Sequence, residues 1–177
     1  MFLENLFVVI GAIIILFMLW VVVGVRHFKY LKEELNDQWE LVDETLRKRY
    51  DYIPNLIETI RKFSNSEEGL IERVIQSRQK VVKESSKGID RITLEHEFTG
   101  DINDLIDLST RLPELARDTN YLELRKEIDD LEKTILERAN KYNEMVRYYN
   151  KHREAAFLKP ITVLGRFDVG TVFEFEK

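Results

Sequence analysis

LFVVIGAIIILFMLWVVVGV, residues 6–25, is an apolar run with no charged residue and only Gly11 and Gly24 as weak helix formers. As a helix rising 1.5 Å per residue, roughly 20 residues cover about 30 Å, the thickness of a bilayer's hydrocarbon core. The run therefore predicts a single transmembrane helix whose partner is the lipid bilayer. A cleaved signal peptide and a buried core helix fit less well. Glu4 precedes the run where a signal peptide carries positive charge, and Val25-Arg26-His27-Phe28 follows it where small residues would mark cleavage. Arg26, Lys29 and Lys32 lie after the run and only Glu4 and the amino terminus before it. Because Lys and Arg resist translocation, residues 1–5 are expected outside and the remainder in the cytoplasm, as in a single-pass cell-membrane protein.

Outside this run the composition points to helices. A third of the 177 residues are charged and there are only 7 Gly and 3 Pro, so the class is all-α. Net charge is −5 with both signs interleaved, which leaves no basic surface to neutralise a phosphate backbone and excludes nucleic acid as a partner. Absence of Cys excludes disulfides, thiolate metal sites, a nucleophilic thiol and a lipidated cysteine.

Periodicity divides the soluble part. Leu35, Trp39, Val42, Leu46, Tyr50, Ile53, Ile57 and Ile60 step by three or four and form one stripe, with no gap from the apolar run. Pro54 falls inside it and predicts a kink or restart between Asp51 and Pro54. Ser64-Asn65-Ser66-Glu67 reads as a Ser-x-x-Glu capping box for a second helix, which buries Leu70, Ile71, Val74, Ile75, Val81 and Val82 and ends near Gly88. A third, shorter helix carries Phe98, Ile102, Leu105, Ile106, Leu112 and Leu115, capped by Thr99 or Asp101 and ending near Pro113. Asn120, with Glu123 three residues on, starts a long fourth helix bearing Leu124, Ile128, Leu131, Ile135, Ala139, Tyr142 and Tyr149.

Leu46-Arg47-Lys48-Arg49-Tyr50-Asp51 with Ile53-Pro54-Asn55-Leu56, Leu112-Pro113-Glu114-Leu115 before Asn120-Tyr121-Leu122-Glu123-Leu124, and Tyr142-Asn143 repeated as Tyr149-Asn150 resemble, together with the apolar run, the LemA family of membrane proteins. The resemblance implies a four-helix bundle, an extracellular N-terminus and no established enzymatic activity, with some relatives implicated in forming intracellular magnetosome membranes. After the fourth helix the chain departs from the family's phenylalanine- and glycine-rich ending and keeps only Leu164-Gly165-Arg166-Phe167 and Phe173-Glu174. The expected organisation is a short extracytoplasmic segment at 1–5, the transmembrane helix at 6–25, an antiparallel four-helix bundle with two long and two short helices at 26–158, and an apolar tail at 159–177.

Helices from Arg26 to Phe63 and from Asn120 to Phe157 would each be about 57 Å long, and the middle two about 30 Å each. Near the membrane only the first and fourth would then pair. Phe28, Leu31, Leu35 and Trp39 would face Met145, Val146, Tyr149 and Phe157, a thinly covered stripe that predicts self-association, as in a homo-oligomer, or a protein partner. The fourth helix would return the tail to the membrane surface, where it is expected to lie on the bilayer or cap the stalk; Phe167, Phe173 and Phe175 are its candidate lipid contacts, and Lys159 and Arg166 would meet anionic lipid. A short hairpin or strand packed on the bundle is the alternative, given the β-branched residues and the glycine spacing.

No catalytic, cofactor or metal signature is present. His27, His96 and His152 lack the Glu three residues earlier that a di-iron bundle needs. Charged residues are expected to form a solvated face with i,i+4 pairs such as Arg47 with Asp51. Arg47, Lys48 and Arg49 are the compact basic cluster away from the membrane and, with Trp39, Tyr142 and Tyr149, the candidate interaction surface. If buried, the two tyrosines read as a satisfied core layer, with Asn143 and Asn150 beside them, in preference to a ligand-binding pocket. The function expected is a non-enzymatic, membrane-tethered scaffold. The alternative is a membrane-organising protein acting through stalk and tail.

Overall fold

The apolar run and the stripe that follows it lie on one unbroken helix, α1 (Phe2–Arg61), in the computed structural model, which describes residues 2–64, 67–84 and 89–175. The remaining helices are α2 (Glu68–Lys83), α3 (Ile89–Arg111), α4 (Thr119–Glu154) and α5 (Lys159–Leu164), with a 3₁₀ turn at Leu115–Arg117. Among the described residues there is no strand.

The restart expected at Asp51 to Pro54 is absent, because α1 runs through Pro54. Proline cannot donate to the carbonyl four residues back, which leaves the Tyr50 oxygen without its helical partner. Arg78 of α2 supplies one, its Nε donating to the Tyr50 carbonyl at 2.7 Å. Capping also departs from expectation. Glu67 occupies the N-cap of α2 itself, without a side-chain cap bond, instead of the third helical position the box assigns to it. Asn65, Ser66 and Gly88 lie outside the described residues. Asp118, rather than Asn120, caps α4, its Oδ1 accepting the Tyr121 N–H at 2.8 Å. Asn120 instead donates to the Thr59 hydroxyl at 2.6 Å.

The largest correction concerns α3, which starts at Ile89 and carries Thr99 in its middle instead of at its cap. Its inward face includes Arg91, Glu95 and Thr99, all buried. Polar residues at these positions break the apolar template by which the helix was sought.

The chain divides into two compact units, Met1–Asp37 with Met145–Gly170 and Gln38–Glu144 with Thr171–Lys177. In the second unit, contacts pair Trp39 with Tyr142, Thr45 with Arg138 and Thr59 with Asn120, so α1 and α4 run antiparallel. Lys80 meets Glu97 and Arg73 meets Asp104, so α2 and α3 are antiparallel too. Asp43 with Arg91 and Tyr50 with Phe98 set α1 and α3 parallel. These are the alternating directions of an up-down-up-down bundle.

In the first unit, α1 changes from an exposed to a covered helix. Residues 6–23 are largely exposed, Phe7 by 72% and Leu16 by 66%, and this stretch is long and apolar enough to cross a membrane. From Phe28 onward the stripe is covered: Phe28, Leu31, Leu35, Val146, Tyr149, Leu158, Ile161 and Phe167 are all buried. Residues 158–167 of the tail thus supply part of this core. The exposed stripe that argued for self-association is absent at these positions, and Phe157, expected on it, is 68% exposed.

Candidate functional site

α4 carries its two Tyr-Asn pairs one heptad apart, which places them on nearly the same helix face. A buried carboxamide needs partners for both its oxygen and its nitrogen. An extended segment offers such a pair at each residue, an N–H beside a C=O. In the second unit, Asn143 Nδ2 donates to the Phe173 carbonyl at 2.7 Å and its Oδ1 accepts the Phe173 N–H at 2.6 Å. The Tyr142 hydroxyl donates to the Thr171 carbonyl at 3.0 Å. The same motif recurs within the first unit, where Asn150 bonds both the carbonyl (2.8 Å) and the N–H (2.9 Å) of Gly170. There the Tyr149 hydroxyl donates to the Asp168 carbonyl at 3.0 Å and Arg153 Nε to the Phe167 carbonyl at 2.8 Å. Each asparagine thus completes one residue of a β-ladder with a side chain.

The tail's rings fill the spaces these bonds define. Phe173 lies edge-on to Trp39, ring centroids 5.3 Å apart, and Phe167 lies 5.2 Å from Phe28. Phe175 sits over the Arg49 guanidinium at 5.2 Å, as does Phe98. Arg166 takes the left-handed backbone region at φ 51° where α5 turns into the extended segment. At Gly170 a Cβ would stand 3.3 Å from Val146 Cγ1, a tight contact to which the valine would have to yield.

Below Phe175 lies a buried charged layer. Glu95 accepts from Arg49 Nη2 and Arg91 Nε, both at 2.8 Å, and from the Tyr50 hydroxyl. Arg49 also bonds the Thr99 hydroxyl at 2.9 Å and lies 3.9 Å from Glu132, and Arg91 reaches Asp43 at 3.1 Å. Burial, followed by the Glu95 charge, pushes the Tyr50 phenol well above its ordinary range. Burial alone raises Tyr142 to about 12, and burial, partly offset by the Arg153 charge, lifts Tyr149, so all three act as neutral donors. A buried ion pair adds little net stability but penalises any register that separates it, so the layer locks α3 against α1.

Several sequence expectations are corrected by this geometry. Arg49, Trp39, Tyr142 and Tyr149 are buried and form core, not an interaction surface. Arg47 and Lys48 alone of that set are exposed. Arg47 pairs back to Asp43 at 2.7 Å, not forward to Asp51, and Lys48 to Glu44 at 2.6 Å, a bond that lowers the Glu44 pKa. Phe167, Phe173 and Phe175, the candidate lipid contacts, are buried by the protein itself. The tail packs on the helices, as the alternative reading has it, but among the described residues it forms neither hairpin nor strand, because its partners are side chains of a helix. Asn143, Asn150, Arg153, Arg91 and Glu95 were missed as partners. The asparagine repeat was visible, but nothing local names the main chain it binds. Among the described residues no His, Asp and Glu side chains converge on a metal site.

The family model for the LemA family matches residues 38–177. The match includes the tail and begins after the apolar run. Among curated proteins, none matches the chain.

Proposed function

Because the chain belongs to the LemA family, we propose that it is a non-enzymatic, membrane-tethered interaction module, with residues 6–25 spanning the cell membrane, the N-terminus outside and the helical part in the cytoplasm. The observation that carries this reading is the continuity of α1, which passes without a break from an exposed apolar segment into packed helix. A chain that passes directly from a spanning segment into packed helix keeps its protein part at the bilayer. Arg26, Lys29 and Lys32 beyond the run support the orientation. The surface offered to partner proteins is the exposed charged face of α1 and α4 around Arg47 and Lys48, the residues of the expected surface that remain accessible.

The absence of cysteine makes a clean test available. Asn5→Cys is expected to react with an impermeant maleimide on intact cells, and Lys48→Cys only after permeabilisation. The opposite pattern would overturn the orientation. A photo-crosslinker on Lys48→Cys is then expected to yield adducts with other proteins, and recovery of the uncrosslinked chain alone would overturn the interaction role.

A second reading, a protein that organises the bilayer, is favoured by one observation: α5 exposes apolar side chains and packs at Gly24.

A further inference from the structure

We infer that α5 and its flanks form a second, interfacial contact with the bilayer, in which Phe157, Val163 and Leu164 enter the acyl boundary beside the end of the spanning helix. This rests on the proposal that residues 6–25 cross the membrane, and it replaces the phenylalanines of the tail with a different set of residues. Everything it uses lies within the first unit.

Three observations converge. The first is height. The Ile161 side chain occupies the space where a Cβ of Gly24 would stand. Gly24 is the penultimate residue of the apolar run, about 27 Å along the helix from Leu6, so Ile161 sits at the edge of the hydrocarbon layer. The second is polarity. α5 turns Ile161 and Thr162 inward, while Val163 and Leu164 are 72% and 70% exposed and Phe157 is 68% exposed. Ala156, Pro160, Val163 and Leu164 line one open apolar surface with the stem of Lys159. A six-residue helix that packs one side on α1 and leaves its other side apolar at this height meets lipid there, not water.

The third observation is charge. Lys151, Arg153, Lys159 and Arg166 bracket the apolar side chains, against Glu154 and Asp168. Long cationic side chains at this level extend their heads to lipid phosphates while their stems stay with the apolar surface. A second copy of the chain could cover the same residues, and the test separates the two occupants.

Single cysteines carrying a polarity-sensitive fluorophore would be placed in the full chain at Ile14, Val23, Asp37 and Leu164, and each variant reconstituted into phosphatidylcholine–phosphatidylglycerol nanodiscs. Some lipids would carry a nitroxide quencher near the headgroup or at mid-chain. The Leu164 probe is expected to lose about half its emission or more to the shallow quencher, matching Val23, whereas Asp37, about 18 Å beyond the run, stays bright. Quenching by aqueous iodide alone would overturn the inference, as would a blue-shifted Leu164 probe insensitive to lipid nitroxide, the signature of cover by protein. Ile14 reports separately. If mid-chain nitroxide fails to quench it, the spanning reading itself falls; if Ile14 is quenched and Leu164 is not, only the interfacial contact does.

Discussion

Asn143 shows how one side chain can stand in for a strand. Its amide exchanges two hydrogen bonds with Phe173, both in buried surroundings. Replacement by Leu keeps the size but leaves a buried N–H and C=O without partners, a loss of about 2–6 kcal/mol, since each unmade buried bond costs about 1–3 kcal/mol. Asn143→Asp retains the acceptor for the Phe173 N–H and sets a second oxygen against the Phe173 carbonyl, so it is expected to be at least as damaging. Trp39 lies against the Phe173 ring and reports the loss. Its fluorescence during urea unfolding in detergent gives the stability, and an Asn143→Leu variant within about 0.5 kcal/mol of the native chain would mean that the clamp contributes nothing. The repeat of Tyr-Asn was legible in the sequence as a core feature. Its ligand was not, because the tail residues that bind there offer only main-chain atoms, which carry no residue-specific signal.

At the scale of the element, legibility followed the chemistry of the buried face. α1, with an apolar stripe through Ile60, and α4, with its heptad-spaced tyrosines, could be read from spacing. The first half of α3 could not, since Arg91, Glu95 and Thr99 point inward and make an interior face look like a surface one. Pro54 misled in the opposite direction. Its rule is local, and the compensation comes from Arg78, twenty-eight residues from the carbonyl it satisfies. The two residues should therefore be energetically coupled. Arg78→Leu is expected to cost about 1–2 kcal/mol in the native background, where it strips the Tyr50 carbonyl of its donor. In a Pro54→Ala background the restored N–H takes that carbonyl, and the same change should cost about 1 kcal/mol less. Equal costs in the two backgrounds, measured by thermal unfolding, would show that Arg78 serves another purpose.

For the whole molecule the decisive feature is that the tail is core. Sequence spacing brought α1 and α4 together and left their stripe thinly covered, from which association with a second chain follows. What covers the stripe in fact is the chain's own continuation: Leu158, Ile161 and Phe167 in one unit, Phe173 and Phe175 in the other, all buried. The sequence left cover of the stalk and contact with lipid as alternatives, because an apolar tail brought back beside an apolar N-terminal helix looks the same whether it faces lipid or protein. Ending the chain after Leu158 separates the alternatives. Each fully buried ring or aliphatic side chain removed takes away about 1.5–3 kcal/mol of burial, and Phe28, Tyr149, Trp39 and the Arg49 layer lose their cover. The shortened protein is expected to unfold at lower temperature and to shift to higher oligomers in detergent, as seen by light scattering, because the uncovered stripe then meets its counterpart on another copy. An unchanged mass distribution and melting temperature would mean that the tail is a passenger on a complete bundle.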